Sequence, residues 1–207
     1  MALAELVGPV HFSHFHPLTG EAVGKQRPAA WVQLAAVTQE QTNNTFAMFP
    51  VMITDLLRTT YGITEMQTII RAKGGRILQS VTSNPKAVEG KRTTFVIMNE
   101  IQWWTEANNG HDMYDKINGN ITKRAGQGAR YLAICNAHVP GEDSVGERMW
   151  DTYQKVVGGE AVDTRILYDS LEAPAGTPLS EIPPRSADPE GFEKGVQMLR
   201  EGLRIAR

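Results

Sequence analysis

Three short stretches constrain the fold of this chain more than anything else in it. Trp31-Val-Gln-Leu-Ala-Ala-Val37, Thr94-Phe-Val-Ile-Met98 and Tyr131-Leu-Ala-Ile-Cys135 are each of strand length and apolar almost throughout. A strand with one wet face alternates apolar and polar residues, whereas a run without alternation needs cover on both faces. That is the signature of a parallel sheet sandwiched between helices. The intervening segments supply the helices. Thr38 and Gln41 form a capping box that opens a helix through Phe46 and Phe49, with Pro50 interrupting it and the next segment ending near Tyr61-Gly62. Residues 113–124 and 144–157 carry helical patterns between and after the later strands. Strands alternating with helices predict an α/β fold with a mainly parallel sheet flanked by helices.

The rest of the chain is punctuated around this frame. Residues 2–7 read as the end of a helix, stopped by Gly8-Pro9, and residues 11–28 as a polar loop. Residues 68–72 and 76–81 flank Gly74-Gly75 and suggest a strand pair with a tight turn. Residues 165–168 suggest a last strand, residues 173–188 a Pro-rich connector, and Asp188-Pro189-Glu190 the opening of a final helix. The expected organisation is one partial domain over residues 1–172, the connector, and a helix over 189–207 that leads toward a further domain.

Composition removes several function classes. No apolar run approaches the ~18 residues needed to cross a membrane, and the first residues have no basic region of a secretory signal. The single cysteine, Cys135, excludes an internal disulfide and fits a reducing compartment. A formal net charge of −2 argues against indiscriminate coating of nucleic acid, while leaving room for a local basic patch.

Each of the three apolar strands ends abruptly in polar residues: Thr38-Gln39, Asn99-Glu100, and Asn136-Ala-His138. In open α/β sheets the ligand crevice lies at the carboxyl ends of the strands, so parallel strands would gather these residues at one edge. Phe95-Val-Ile-Met-Asn99-Glu100 has the form of a Walker B segment, in which an acidic pair normally serves Mg²⁺ and the attacking water. Here the first position is an amide. Asn99 can accept a hydrogen bond from a metal-bound water but brings no charge to offset the metal.

Longer segments carry a family resemblance. Residues 31–42, 83–100, 131–144 and 166–174 resemble, in order and spacing, the large terminase subunits of tailed phages, and the resemblance covers nearly the whole chain. It implies a P-loop ATPase-type sheet lacking its first strand and P-loop, with ATP and Mg²⁺ as cofactors and a role in the motor that packages viral DNA. By position, Glu100 is the catalytic glutamate, Asn99 the metal-side residue, Asn136 the coupling residue that senses the γ-phosphate, and Gln39 a further residue of the nucleotide crevice. The family's arginine before Walker B has Glu89 in its place here; Arg92, with Lys91 beside it, is the candidate substitute. The implied partners are double-stranded DNA, a terminase small subunit, a portal protein and further copies in a ring, in the cytoplasm of a bacterial host and with no membrane.

The chain departs from the family in having no G-x-x-x-x-G-K-[ST] string. Gly20-Glu-Ala-Val-Gly24-Lys25-Gln26 has the wrong spacing and no hydroxyl residue. The segment is therefore expected to begin just after a phosphate-binding loop, to stop before a nuclease domain, and to bind ATP weakly or not at all by itself. The alternative reading is a non-catalytic remnant or assembly module that keeps the fold and the partner surfaces.

Four features lie outside that assignment. His11, His14 and His16 have metal-like spacing but no fourth ligand, and read as part of a solvated loop. Trp103-Trp104 are expected to pack beneath the site, and Cys135 to be inert inside a buried strand. Lys123, Arg124 and Arg130 form a modest basic cluster, the sort of patch that is either a solvated face or a contact to DNA.

Overall fold

The computed structural model describes residues 1–82, 91–162, 166–170 and 190. The chain divides into two units, Met1–Gly158 and Gly159–Arg207, and all regular elements below belong to the first. The expected connector over 173–188 lies outside the described residues, as does the expected final helix apart from Glu190, which is helical.

The sheet is mixed and mainly parallel. Its strands are β3 (Trp31–Ala35), β4 (Thr64–Glu65), β5 (Ile69–Ala72), β6 (Arg76–Val81), β7 (Phe95–Asn99) and β8 (Arg130–Ile134), in the spatial order β4-β5-β6-β3-β7-β8. β3 lies parallel to both β6 and β7, and β7 is parallel to β8, with Asn99 opposite Ile134. β4 and β5 form the antiparallel edge. The turn from β5 to β6 uses Gly74 and Gly75 at φ 78° and 70°, where a Cβ would be strained.

The helices follow the expected alternation. α1 (Ala2–Val7) ends at Gly8; α2 (Gln39–Phe46) starts at Thr38, whose hydroxyl accepts the Gln41 N–H. The box is only half made, since the Gln41 Oε1 is buried without a partner. α2 stops at Phe46 instead of continuing through Phe49, because Pro50 sits in the first turn of a separate helix, α3 (Phe49–Met52). α4 (Asp55–Tyr61) ends on Gly62 in the left-handed region. α5 (Gly110–Thr122) and α6 (Val145–Val157) complete the set.

Two apolar layers enclose the sheet. Val32, Leu34, Leu78, Phe95 and Ile97 pack on one face with Leu6, Phe46, Phe49 and Ile53. Val96 and Met98 face the other way, with Trp104, Met113, Ile117 and Val145. Successive residues of β7 therefore serve opposite layers, which is why its sequence does not alternate.

Three expectations fail. Residues 11–28 are not all loop: β1 (His11–Phe15) and β2 (Ala22–Lys25) pair antiparallel as a separate hairpin. Its side chains are mostly exposed, so no burial pattern betrays it in the sequence. β8 is an edge strand of the described sheet and only half-buried, with Ile134 47% exposed; Cys135, one residue past it, is exposed and not buried. Residues 166–170 form no strand, and Leu167 is exposed; Arg165 lies outside the described residues.

Candidate functional site

The carboxyl ends of β3, β7 and β8 lie side by side because the three strands are parallel and adjacent. The ladder continues past Asn99, with the Glu100 N–H donating to the Ile134 carbonyl at 2.7 Å. Glu100 is then the first residue off the strand. It is held at φ 58°, ψ 47°, a left-handed conformation that costs a non-glycine residue about 1–3 kcal/mol. Immediately after it, Ile101–Trp103 make a single 3₁₀ turn, with the Trp103 N–H donating to the Glu100 carbonyl at 3.0 Å. The chain thus reverses sharply and leaves a half-buried carboxylate at the carboxyl end of β7.

The turn is fixed from below. The Trp104 indole is fully buried, and its Nε1–H donates to the Asn99 carbonyl at 3.1 Å. Trp104 is in turn gripped by two neighbours. The Val145 N–H at the start of α6 donates to the Trp104 carbonyl at 2.8 Å. Gly110, at the start of α5, leaves no space for a Cβ, which would meet the Trp104 Cα at 2.5 Å. Trp103 points outward and is 47% exposed, so only one residue of the tryptophan pair packs beneath the site.

Gln102 completes the setting. It is 3% exposed, and its Nε2–H donates to Glu100 Oε2 at 3.2 Å, while its Oε1 is buried without a partner. An amide kept dry at such a cost orients the carboxylate. Neither Gln102 nor Gly110 was singled out in the sequence; a glutamine two residues after the acid is the only signal that points to the first.

The neighbouring strand end has its own supports. Asn136 is exposed, two residues beyond β8. Partial shielding of the thiol from water, and then the negative charge of nearby Glu100, raise the Cys135 pKa although the residue as a whole is exposed. The loop leading on to α6 is tied to the helix that follows it: Glu147 accepts the N–H groups of Gly141 at 2.6 Å and Asp143 at 2.7 Å. Those bonds, Gly141's first, pull the Glu147 pKa below the ordinary carboxylate range. Asp143, at φ 53°, pairs with both nitrogens of the Arg148 fork at 2.6 Å. The His138 ring lies 5.5 Å from Trp150.

Gln39 sits at the exposed start of α2, its amide donating to Asn43 Oδ1 at 2.9 Å. Arg92 is elsewhere. It is exposed and precedes β7, so the strand itself, about 13–17 Å of extended chain, separates it from Glu100. The structure thus brings Asn99, Glu100, Asn136 and Gln39 to one edge of the sheet and leaves Arg92 at the other.

Among the described residues no three His, Cys, Asp or Glu side chains come together as a metal site. His11 and His14 lie on β1; His11 approaches Glu5 at 3.9 Å, and His16 Nδ1 accepts the N–H of Thr19 at 3.3 Å. At the candidate site, Glu100 and Asn99 offer one oriented carboxylate and one neutral acceptor, a donor set that fits a hydrated Mg²⁺. They form no phosphate cradle. No helix of the described residues is long and apolar enough to cross a membrane.

No protein-family model matches the chain. It is 54% identical over 212 residues to the Gene 13 protein of Mycobacterium phage L5 and 51% identical to that of Mycobacterium phage D29. Each alignment covers all of this chain and 35% of the relative, so the chain spans about a third of their length. Among solved structures, the large terminase of bacteriophage HK97 matches with a TM-score of 0.57 over 96% of this chain and 39% of that one, at 15% identity. The mainly parallel sheet flanked by helices is therefore similar to the fold of the matching part of a phage large terminase.

Proposed function

We propose that this chain is part of the ATP-hydrolysing motor of a phage terminase large subunit, the machine that drives viral DNA into a procapsid. The observation that carries the reading is Glu100, held in a left-handed turn at the carboxyl end of β7, an interior parallel strand, with its carboxylate aimed by a buried amide. A fold shared with a large terminase and similarity to mycobacteriophage proteins support it.

In this reading Glu100 accepts a hydrogen bond from the attacking water and aligns it for in-line attack. Gln102 keeps the carboxylate in place, and Trp104 keeps the turn that presents it. Asn99 would accept a hydrogen bond from the hydration shell of a bound Mg²⁺, and Mg-ATP would supply the γ-phosphoryl group and the negative charge that Asn99 lacks. Asn136 and Gln39, on flanking strand ends, are the crevice residues that respond to nucleotide state. Arg92, the candidate for the family's arginine, lies at the opposite end of β7 from Glu100 and is not assigned to its own chain's nucleotide. The whole machine is a ring of copies, with double-stranded DNA, a small subunit and a portal as its partners, in the host cytoplasm.

The test uses the complete motor, with this segment joined to a phosphate-binding loop. Glu100→Gln keeps the shape and removes the charge. It is expected to lower single-turnover hydrolysis by about 10²-fold or more while nucleotide affinity changes little. Asn99→Asp restores a carboxylate and is expected to be tolerated or mildly beneficial. Hydrolysis at the parental rate by Glu100→Gln would rule out the Walker B role and leave the non-catalytic module as the surviving reading.

A further inference from the structure

At the amino end of β7, the end opposite Glu100, there is an open cleft of about 810 Å³. Lys91, Arg92, Lys116, Lys123 and Arg124 line it, and Asp115 is its one acidic residue. In a chain of net charge −2, five cations against one carboxylate is a marked local segregation. We propose that this cleft grips the phosphate backbone of double-stranded DNA. The proposal rests on the motor reading above and names where the motor would hold its track.

The spacing favours an extended polyanion. Lys116, Asn120 and Lys123 follow one another at i, i+4 and i+7 along α5 and its cap, so they share a face. Lys116 and Lys123 stand about 10 Å apart along the axis. Lys91 and Arg92 reach the same cleft from a separate segment, which widens the positive surface beyond what one small anion would occupy. Duplex DNA carries one charge per ~1.7 Å of its axis and would meet all of these cations at once.

Lys91, Arg92, Lys123 and Arg124 form no ion pair among the described residues. Arg124 donates instead to the neutral Gln127 Oε1 at 2.9 Å, and Lys91 rests 5.9 Å from the Trp31 ring centre. Gly119, which lines the cleft, has open space where a Cβ would stand, so a backbone can approach closely. Complementing the negative end of the α5 dipole explains Lys123 and Arg124 as ordinary helix-end residues. It does not explain Lys91 and Arg92, which belong to another element.

The test is duplex binding by the 207-residue chain, read as fluorescence anisotropy of a labelled DNA of mixed sequence between 50 and 200 mM salt. Lys123→Ala with Arg124→Ala is expected to weaken binding at least about tenfold and to flatten the slope of log K against log salt by about 1.8, two phosphate contacts' worth. Lys155→Ala, an exposed lysine on α6, is the control for loss of charge alone, and circular dichroism melts confirm that the variants fold. Parental affinity and slope in the paired variant, or no duplex binding by the parent, overturns the proposal. So does a paired variant that loses binding of inorganic triphosphate while keeping duplex, which would assign the cleft to nucleotide phosphates. The motor reading fails by a different route, through parental hydrolysis by Glu100→Gln, so the two outcomes are separable.

Discussion

The two ends of strand β7 differ in how they are built. At the carboxyl end a carboxylate stands on a turn that almost nothing could move: a buried indole, a buried amide, a glycine without room for a Cβ and the first residue of α6 all bear on four residues. At the amino end the side chains are long, mostly exposed and cationic, around an open cleft. The contrast follows from what each end is proposed to do. Aligning one water tolerates little positional error, because misplacement of even about 1 Å costs rate steeply. Holding a polyanion that must also slide favours mobile charges without fixed geometry. A rigid acid and a compliant basic surface therefore share one strand, and the strand is the shortest mechanical link between them.

The sharpest way to break the contrast is to remove the support of the rigid end. Trp104→Ala is expected to destabilise the first unit by about 3–5 kcal/mol, the cost of a buried aromatic cavity. Trp104→Phe keeps most of the packing and loses the bond to Asn99, so about 1–3 kcal/mol is expected. Denaturant melts of both variants check this. A loss near zero in Trp104→Phe would mean that the indole N–H does not hold the turn.

The smaller effect expected at Glu100 itself is a balance of two terms. Glu100→Gly relieves the left-handed strain but leaves the buried Gln102 amide without its partner, so stability is expected to stay within about 1 kcal/mol of the parent while hydrolysis in the complete motor is abolished. A clear loss of stability would show that the carboxylate stabilises the fold instead of being strained for function.

Much of this arrangement was legible in the sequence, for reasons that are local. β3 and β7 announce themselves because burial on both faces removes alternation, and their polar endings mark the ligand edge wherever parallel strands adjoin. The segment resemblance anticipated the terminase fold. β8 misled because its apolar run suggests a central strand, yet its position at the sheet edge leaves Ile134 and Cys135 exposed. The β1–β2 hairpin stayed hidden because a two-stranded ribbon with exposed faces has no periodic signal. Gln102 and Gly110 act through backbone geometry that only tertiary structure creates. The basic cleft joins residues 91–92 to 116–127 across the sheet, and sequence proximity shows just the Lys123-Arg124 part of it.

The smallest expected effect concerns the loop between β8 and α6. The Gly141 and Asp143 N–H groups favour the ionised Glu147 and depress its pKa, so their stabilising contribution is present above the unfolded value of about 4.3 and fades as pH falls through the lower folded value. An NMR titration should show the Gly141 and Asp143 amide signals moving with a midpoint below the ordinary glutamate range. A midpoint at or above it would remove Glu147 as the clasp of this loop.

The division of labour along β7 is tested most directly by measuring both functions in both variants of the complete motor. Single-turnover ATP hydrolysis without DNA and duplex binding without ATP are followed for Glu100→Gln and for Lys123→Ala with Arg124→Ala. The account predicts a double dissociation: the first variant loses hydrolysis by about 10²-fold and keeps duplex binding, and the second loses duplex binding and keeps DNA-free hydrolysis. If either variant loses both functions while remaining folded, or neither loses its own, the two ends of β7 do not do the separate work assigned to them.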